Sequence, residues 1–257
     1  MRIATWNVNS IKARLPRVEA WLDSADVDVL CLQELKCDGD AFPYGPFTDR
    51  GYEVAALGTG RWNGVAIASR VGLDDVERGL PGQPEFNGEA EPRAIAATCG
   101  GIRLWSLYVP NGRDAEDPHY TYKLEFLSAL ADAVPVGDAA PFALLGDMNI
   151  CPTDEDLWSI ADWAGTTHVT APERDALAAV ESRGLADVFP RALKHDRPFT
   201  FWDYRNLDFP KNRGMRIDLV LANPAAREAV DDAYVDRNER KGKGASDHAP
   251  VVVDLTL

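Results

Sequence analysis

Six short apolar runs in this 257-residue chain stop or start on polar residues capable of chemistry. Arg2 to Trp6 ends in Asn7-Val8-Asn9-Ser10, and Val27 to Leu32 ends in Gln33-Glu34. Ile102 to Val109 carries Tyr108 at its end and runs into Pro110-Asn111-Gly112-Arg113. Phe142 to Leu145 stops at Gly146 and gives way to Asp147 and Asn149. Two later runs begin with such residues: one starts at Arg216-Ile217-Asp218, and the last, Val251 to Leu255, is entered through Ser246-Asp247-His248-Ala249-Pro250. Nearly continuous apolar runs of this length read as strands buried on both faces. If the last two run antiparallel to the first four, all six polar ends meet on one side of the molecule.

The intervening segments carry helix and turn signals. Ser10 suits an N-cap, Val18, Trp21 and Leu22 give an apolar stripe, and Pro16 is expected near that helix's start. Tyr52 to Leu57 and Gly64 to Ser69 read as a strand pair around Gly60, Trp62 and Asn63. Ala94 to Cys99 pairs with Ile102 to Val109 around Gly100-Gly101. Between them Gly79 to Arg93, rich in Gly, Pro and Glu, reads as a loop without chemistry. Phe126, Leu127, Leu130 and Val134 mark an amphipathic helix after His119. Thr153 is expected to cap a helix reaching about Trp163, with Asp154, Glu155 and Asp156 favourable at its positive end. Pro172 to Arg183 is a further helix, begun by Pro and stopped by Gly184. The alternation predicts α/β layers rather than a barrel of strands, and no linker divides residues 1–257 into more than one domain. The likeness of Trp6-Asn7-Val8-Asn9 to Asp147-Met148-Asn149, half a chain apart, would suit two similar halves.

Composition narrows the class. Hydrophobic residues at 46% and charged residues at 26% belong to soluble globular chains, and no apolar run approaches the ~18 residues that span a bilayer. Met1-Arg2 leads straight into a strand with no signal segment, so the expectation is a cytoplasmic protein without a membrane partner. Cys31, Cys37, Cys99 and Cys151 show neither Cys-x-x-Cys spacing nor a nearby His pair, which argues against structural zinc and a disulfide framework. The net charge of −14 speaks against nucleic acid as a partner, but its distribution does not. Residues 191 to 216 hold seven Lys/Arg against three Asp, and residues 237 to 244 hold four against one Glu. Such local basic stripes decide what docks there.

Gathered at one edge, the polar ends supply carboxylates with nearby carboxamides, one imidazole, one phenol and flanking cations. No Ser or Cys nucleophile with its base stands among them. Hard oxygen ligands suit Mg²⁺ or Mn²⁺, and a metal, an acid able to orient water and an imidazole to meet negative charge are what phosphate-ester hydrolysis requires.

The segments ATWNVNS, CLQELK, SLYVPNGR, LLGDMNICPTD, FTFWDYR, NRGMRIDLVLA and SDHAPV, in this order, closely resemble the exonuclease III family of abasic-site endonucleases, in the endonuclease/exonuclease/phosphatase superfamily. The resemblance runs from Arg2 to Leu255. It implies a four-layer α/β sandwich of two mixed sheets packed face to face, with helices outside. It also implies a monomeric Mg²⁺-dependent nuclease, Mn²⁺ serving as a substitute. Such an enzyme cuts duplex DNA 5′ to abasic sites to leave a 3′ hydroxyl, with 3′-phosphodiesterase or 3′-to-5′ exonuclease activity on blocked ends. By matching position, Glu34 is the principal metal ligand, with Asn7 and Asp247 close to the ion. Asp147 resembles the residue that orients or deprotonates the attacking water, and Asn149 the one that holds it. His248, paired with Asp218, resembles the contact to the scissile phosphoryl oxygen, and Tyr108 the phenol beside it. A second ion would be held through Asp147, Asn149 and His248. Asn111 and Arg113 match phosphate contacts, and Phe201 and Trp202 match aromatics lining the pocket for a baseless sugar. Leu35, where the family often has Thr, and Phe201, where some relatives have Trp, depart from the pattern.

Two other readings stay open. One is a superfamily relative acting on another phosphodiester or phosphomonoester, which the aromatic-basic stretch Phe199 to Arg216 argues against. The other is a lesion-binding protein without catalysis, whose mark would be substitution at Glu34, Asp147, Asp218 or His248; all four are intact.

Overall fold

The central strands, apolar on both faces, stack as two mixed sheets with helices on each outer side. The computed structural model describes residues 1–137 and 140–256. The first half runs β1 (Arg2–Asn7), α1 (Ile11–Ala25), β2 (Val29–Gln33), α2 (Tyr44–Thr48), β3 (Glu53–Leu57), β4 (Val65–Ser69), β5 (Asp74–Arg78), β6 (Ala94–Cys99) and β7 (Ile102–Tyr108). Then come α3 (Pro118–Ala133), β8 (Phe142–Asp147), α4 (Ile160–Trp163), α5 (Ala171–Glu181), β9 (Ala186–Asp187) and β10 (Arg191–Ala192). The chain closes with α6 (Asp208–Lys211), β11 (Asp218–Ala222), α7 (Pro224–Glu228), β12 (Val230–Val235) and β13 (Val251–Leu255). One sheet has the order β10-β12-β13-β1-β2-β4-β3 and the other β5-β6-β7-β8-β11-β9.

Period-two alternation decides which side chain enters which layer. Ile3, Val29, Cys31, Ile67, Val251 and Val253 fill the space between the sheets, where they meet Ile95, Ala97, Leu104, Leu145 and Val220. The intervening Ala4, Trp6, Leu30, Leu32 and Val252 face outward and pack with Val18, Trp21 and Leu22 of α1 and Phe47 of α2. Trp105, Leu107, Leu144 and Leu219 do the same with Phe126, Leu127 and Leu130 of α3 and Leu177 and Val180 of α5. No helix among the described residues is long and apolar enough to cross a membrane.

The sheets share a plan. β1 lies between parallel β2 and antiparallel β13, and β8 between parallel β7 and antiparallel β11. The last strand of each trio therefore delivers its leading residues where the first two deliver their trailing ones.

Several local expectations differ from the structure. Thr153 does form its cap: its hydroxyl takes the Glu155 N–H, and the Asp156 carboxylate takes the Thr153 N–H. The helix stops after the 3₁₀ turn Asp154–Asp156, because Leu157 is drawn into a bridge with Met215 and Asp156 is engaged by Arg216. A separate short turn, α4, follows. Pro16 sits inside α1 rather than near its start. The strands β5, β9, β10 and β12 carry too little apolar pattern to stand out, being exposed on one face or only two residues long.

Candidate active site

The register places each polar end. Asn7 pairs with Gln33 across β1 and β2, so Glu34 emerges beside Asn7. In the other sheet Tyr108 of β7 and Asp218 of β11 both pair with Asp147, the last residue of β8. Gly146 makes that pairing possible, since a Cβ there would lie 1.9 Å from the Leu107 carbonyl oxygen. Asn7 bridges the sheets: its Nδ2 donates to Glu34 Oε1 and to Asp147 Oδ2, both at 2.9 Å. His248 enters just ahead of β13, where its backbone N–H is held by Ser246 Oγ, itself bonded to the Asn7 carbonyl. The turns are tight. Glu34 (φ 53°) and Asn149 (φ 51°) are left-handed, a conformation that costs a residue other than glycine about 1 kcal/mol and persists where the surroundings enforce it. At Glu34 the enforcement is visible, as its carbonyl accepts the Ser10 N–H at 2.7 Å.

Glu34, Asp147 and His248 bring one potential ligand atom each to within 4.8 Å of one another. His248 Nδ1 lies 2.8 Å from Asp218 Oδ2, which leaves Nε2 facing Asp147 Oδ2 at 3.8 Å. Burial opposes charge on the imidazole, but Asp218 and Asp147 outweigh it and hold the His248 pKa up at about 10. Burial also pushes the Asp147 carboxyl upward from the ordinary carboxylate range, against the pull of His248. Glu34 is shifted down: burial resists ionisation, and Lys36 at 2.8 Å, with the Asn7 amide, overcomes it. Tyr108 keeps its proton, its pKa driven well above 10 by burial and by neighbouring Glu34. Among the described residues, Asp147 meets only neutral donors at contact distance, Asn7 Nδ2 and the Asn149 N–H. Two convergent carboxylates, with the His248 cation no nearer than 3.8 Å to Asp147, form a donor set that fits a hard divalent ion.

A model of the family described as "Endonuclease/Exonuclease/phosphatase family" matches residues 4–248. Exodeoxyribonuclease III of Haemophilus influenzae is 30% identical over 267 residues, covering 98% of both chains. The chain belongs to the exonuclease III family. Among solved structures, a 3′-5′ exonuclease from Neisseria meningitidis superposes with a TM-score of 0.93 at 36% identity, and an AP endonuclease from Archaeoglobus fulgidus with 0.92 at 34%; each covers the whole of both chains.

Not every residue expected from the exonuclease III resemblance reaches the cluster. Asp247 stands beside it, linked through Asn9, whose Nδ2 donates to Asp247 Oδ1 while its Oδ1 accepts from Lys36. Phe201 packs its ring on His248 at 4.9 Å and stays partly exposed. Trp202 does not line a pocket: it is 1% exposed, part of the core between the sheets, with Phe209 and Arg237 against its ring. Asn111 donates to Asn149 Oδ1 at 3.1 Å, whereas Arg113 is exposed, stacked over Phe86 at 5.5 Å. Leu35 is fully buried in the outer core. The basic stretches are less free than their charge suggests, because Arg191, Arg205 and Arg216 are each paired with aspartates and Arg240 is buried under Tyr204.

Other residues at the site escaped the sequence reading. The loop Gly79 to Arg93 supplies Arg93, which stacks on Tyr108 at 5.0 Å, donates to its carbonyl and is paired with Glu91. Lys123 and His168 bond to the backbone carbonyl of Asn149, and Glu173 holds both of them, through the Lys123 ammonium and the His168 N–H. A signal existed for Lys123 and Glu173: each is a charged residue on the apolar stripe of its helix, Lys123 beside Phe126 and Leu127, Glu173 beside Leu177 and Val180.

Proposed function

We propose that this protein is a monomeric, Mg²⁺-dependent DNA repair nuclease. It hydrolyses the phosphodiester 5′ to abasic sites in duplex DNA, leaves a 3′ hydroxyl, and trims blocked 3′ ends. The observation that carries this reading is the convergence of Glu34, Asp147 and His248 within 4.8 Å, with Asn149 hydrogen-bonded to Asp147. The relatives' descriptions as exodeoxyribonuclease III, 3′-5′ exonuclease and AP endonuclease support DNA as the substrate.

Glu34 and Asp147, with Asn7 and Asp247 beside them, would hold Mg²⁺ or Mn²⁺. Bound there, the cation supplies Lewis acidity that offsets charge on the scissile phosphate. Asp147 orients the attacking water and takes its proton, and Asn149 holds that water through its free amide N–H. His248 directs its Nε2 proton to a phosphoryl oxygen, while Asp218 fixes the ring through Nδ1. Tyr108, which stays protonated, donates beside it. Fixed donors aimed at developing charge are the largest contribution available to such a site. Asn111 and Arg113 contact flanking phosphates, and Phe201 lies against the extruded sugar. An abasic nucleotide has lost its stacking and pairing, so extruding it costs less than flipping a paired base.

A second reading has its own support. The Neisseria enzyme, described as a 3′ phosphatase, was solved bound to a product DNA hairpin. With Trp202 buried, Phe201 alone of the two expected aromatics is left to recognise a baseless sugar, which leaves room for 3′-phosphomonoester removal as the main activity.

The test uses a 5′-labelled duplex holding one abasic analogue and a hairpin ending in a 3′ phosphate, each with Mg²⁺ or EDTA and with wild type or Glu34→Ala. Incision that needs both Mg²⁺ and Glu34 is expected. Cutting that survives EDTA and the substitution would remove the metal mechanism. Phosphate release from the hairpin without incision would establish the second reading.

A further inference from the structure

Lys123 of α3 and Glu173 of α5 form an ion pair with no solvent exposure on either side chain, Nζ to Oε1 at 2.5 Å. Every polar atom of the pair is engaged. Lys123 Nζ also donates to the Asn149 carbonyl at 2.7 Å, with the Asn111 carbonyl and Thr167 Oγ1 at 3.3 Å. Glu173 Oε1 accepts from Thr167 Oγ1 and the His168 N–H, and Oε2 from the N–H and hydroxyl of Thr170. Desolvating two ions is expensive, and an apolar pair of similar size commonly serves stability as well or better. α3 and α5 already share a large apolar interface, so cohesion does not explain the pair.

What the pair does reach is the backbone of two site residues. The Asn149 carbonyl also lies 2.5 Å from His168 Nδ1. A carbonyl only accepts, so Nδ1 carries the proton and Nε2 is the acceptor, 3.4 Å from Asn111 Nδ2. Asn111 Nδ2 meanwhile donates to Asn149 Oδ1, and Asn149 Nδ2 donates to the Val109 carbonyl. The two carboxamides are thus locked in one orientation, with a single Asn149 amide hydrogen left over, and that lock hangs on Lys123 and Glu173.

We propose that Lys123 and Glu173 are positioning residues, which hold the Asn111–Asn149 amide pair in the orientation the reaction uses. The kinetic part of this inference rests on the nuclease reading above; the structural part does not. Single substitutions leave a buried charge alone and risk unfolding, so the informative variant is the double Lys123→Met, Glu173→Leu, which removes both charges. The double variant should fold, bind Mn²⁺ in an electron paramagnetic resonance titration as wild type does, and show the Asn111 and Asn149 side-chain amide NMR signals moved or broadened. With Mg²⁺ and the DNA substrates above, kcat should fall about a hundredfold, the cost of misplacing a group by about 1 Å, while KM stays within about threefold. Unchanged amide signals, or kcat and KM both at wild-type values, would overturn the proposal. Failure of the double variant to fold would assign the pair to stability and overturn it too. If wild type itself cleaves no DNA phosphate, the nuclease reading fails, and the amide signals alone decide the role of the pair.

Discussion

Two buried charge clusters lie at opposite ends of the short segment from Arg216 to Asp218, and they are built on different principles. Arg216, 2% exposed, meets Asp156 at 2.6 Å and Asp187 at 2.7 Å, with the Phe189 ring 4.5 Å from its guanidinium. That cluster closes on itself and joins the loop after β8 to the entry of β11. Two residues on, Asp218 belongs to the cleft, where the nearest cation to the Asp147 carboxylate is His248 at 3.8 Å. Contact-distance pairing locks backbone in place. In the cleft Glu34 and Asp218 also have contact partners, Lys36 and His248 Nδ1, each at 2.8 Å; the Asp147 carboxylate, held short of contact, is the charge that stays available to a cation or a proton.

Removing the cleft's Glu34 should cost activity and not stability. Glu34→Ala is expected to lower Mg²⁺-dependent hydrolysis by at least about a thousandfold, since both the metal and the donors it orients contribute at this scale. Its melting temperature should remain within a few degrees of wild type, because the Lys36 partner is partly exposed and exposed pairs contribute little. A folded, active Glu34→Ala protein would break the comparison at its strongest point.

The converse holds for the brace. Arg216→Met strands the buried Asp156 carboxylate and the partly buried Asp187 carboxylate and should destabilise the protein by about 3–5 kcal/mol, a drop in melting temperature on the order of 10 °C for a chain of this size. At low temperature its activity per folded molecule should stay within about twofold of wild type, checked by active-site titration. A stable but inactive variant would move Arg216 into the cleft's machinery and erase the distinction.

How far these clusters were legible in the sequence follows from what each depends on. The cleft lies at the ends of strands whose apolar runs are continuous, and the runs set both element and register, so Asn7, Glu34, Asp147 and Asp218 could be read as neighbours once β11 and β13 were taken as antiparallel. The brace could not. Asp156 looked like an acid at the start of a longer helix, and only the folded chain shows its carboxylate spent on Arg216, 60 residues away. Trp202 is assigned to the pocket only by its matching position in the family, and the fold instead buries it in the core with Phe209 and Arg237 against its ring. Lys123 and Glu173 carried a signal, charge on an apolar stripe, that periodicity registers only as noise until the partner helix is known.

Asp218→Asn tests the cleft more finely, as it keeps shape and removes one charge. Without that carboxylate, the His248 pKa falls from about 10 toward its ordinary value. The imidazolium is then lost at lower pH, so the alkaline limb of the rate profile should move down while kcat at neutral pH drops about a hundredfold. An unmoved alkaline limb would mean that the His248 proton is not used.

The smallest effect concerns a histidine buried the opposite way. His119 is 5% exposed, accepts the Gly112 N–H at Nδ1 and is ringed by Phe86 and Tyr122. Burial, with Arg93 and Arg113 nearby, pushes its pKa down to about 4. Where His248 is kept charged by carboxylates, His119 is kept neutral by burial and by the two guanidiniums nearby. Its depressed folded-state pKa gives stability that is complete above about 6.5 and is lost as pH falls toward 4, because the unfolded chain takes up a proton that the folded chain refuses. That contribution is roughly 3 kcal/mol across the window, from the size of the shift. In His119→Asn the side-chain oxygen can still accept the Gly112 N–H, but nothing at that position titrates. Its melting temperature should therefore fall less than that of wild type between pH 7 and pH 4.5, a difference of several degrees by calorimetry. Parallel acid slopes for the two proteins would show that His119 is protonated in the folded state, and that burial with two guanidiniums nearby does not separate a neutral histidine from the charged one in the cleft.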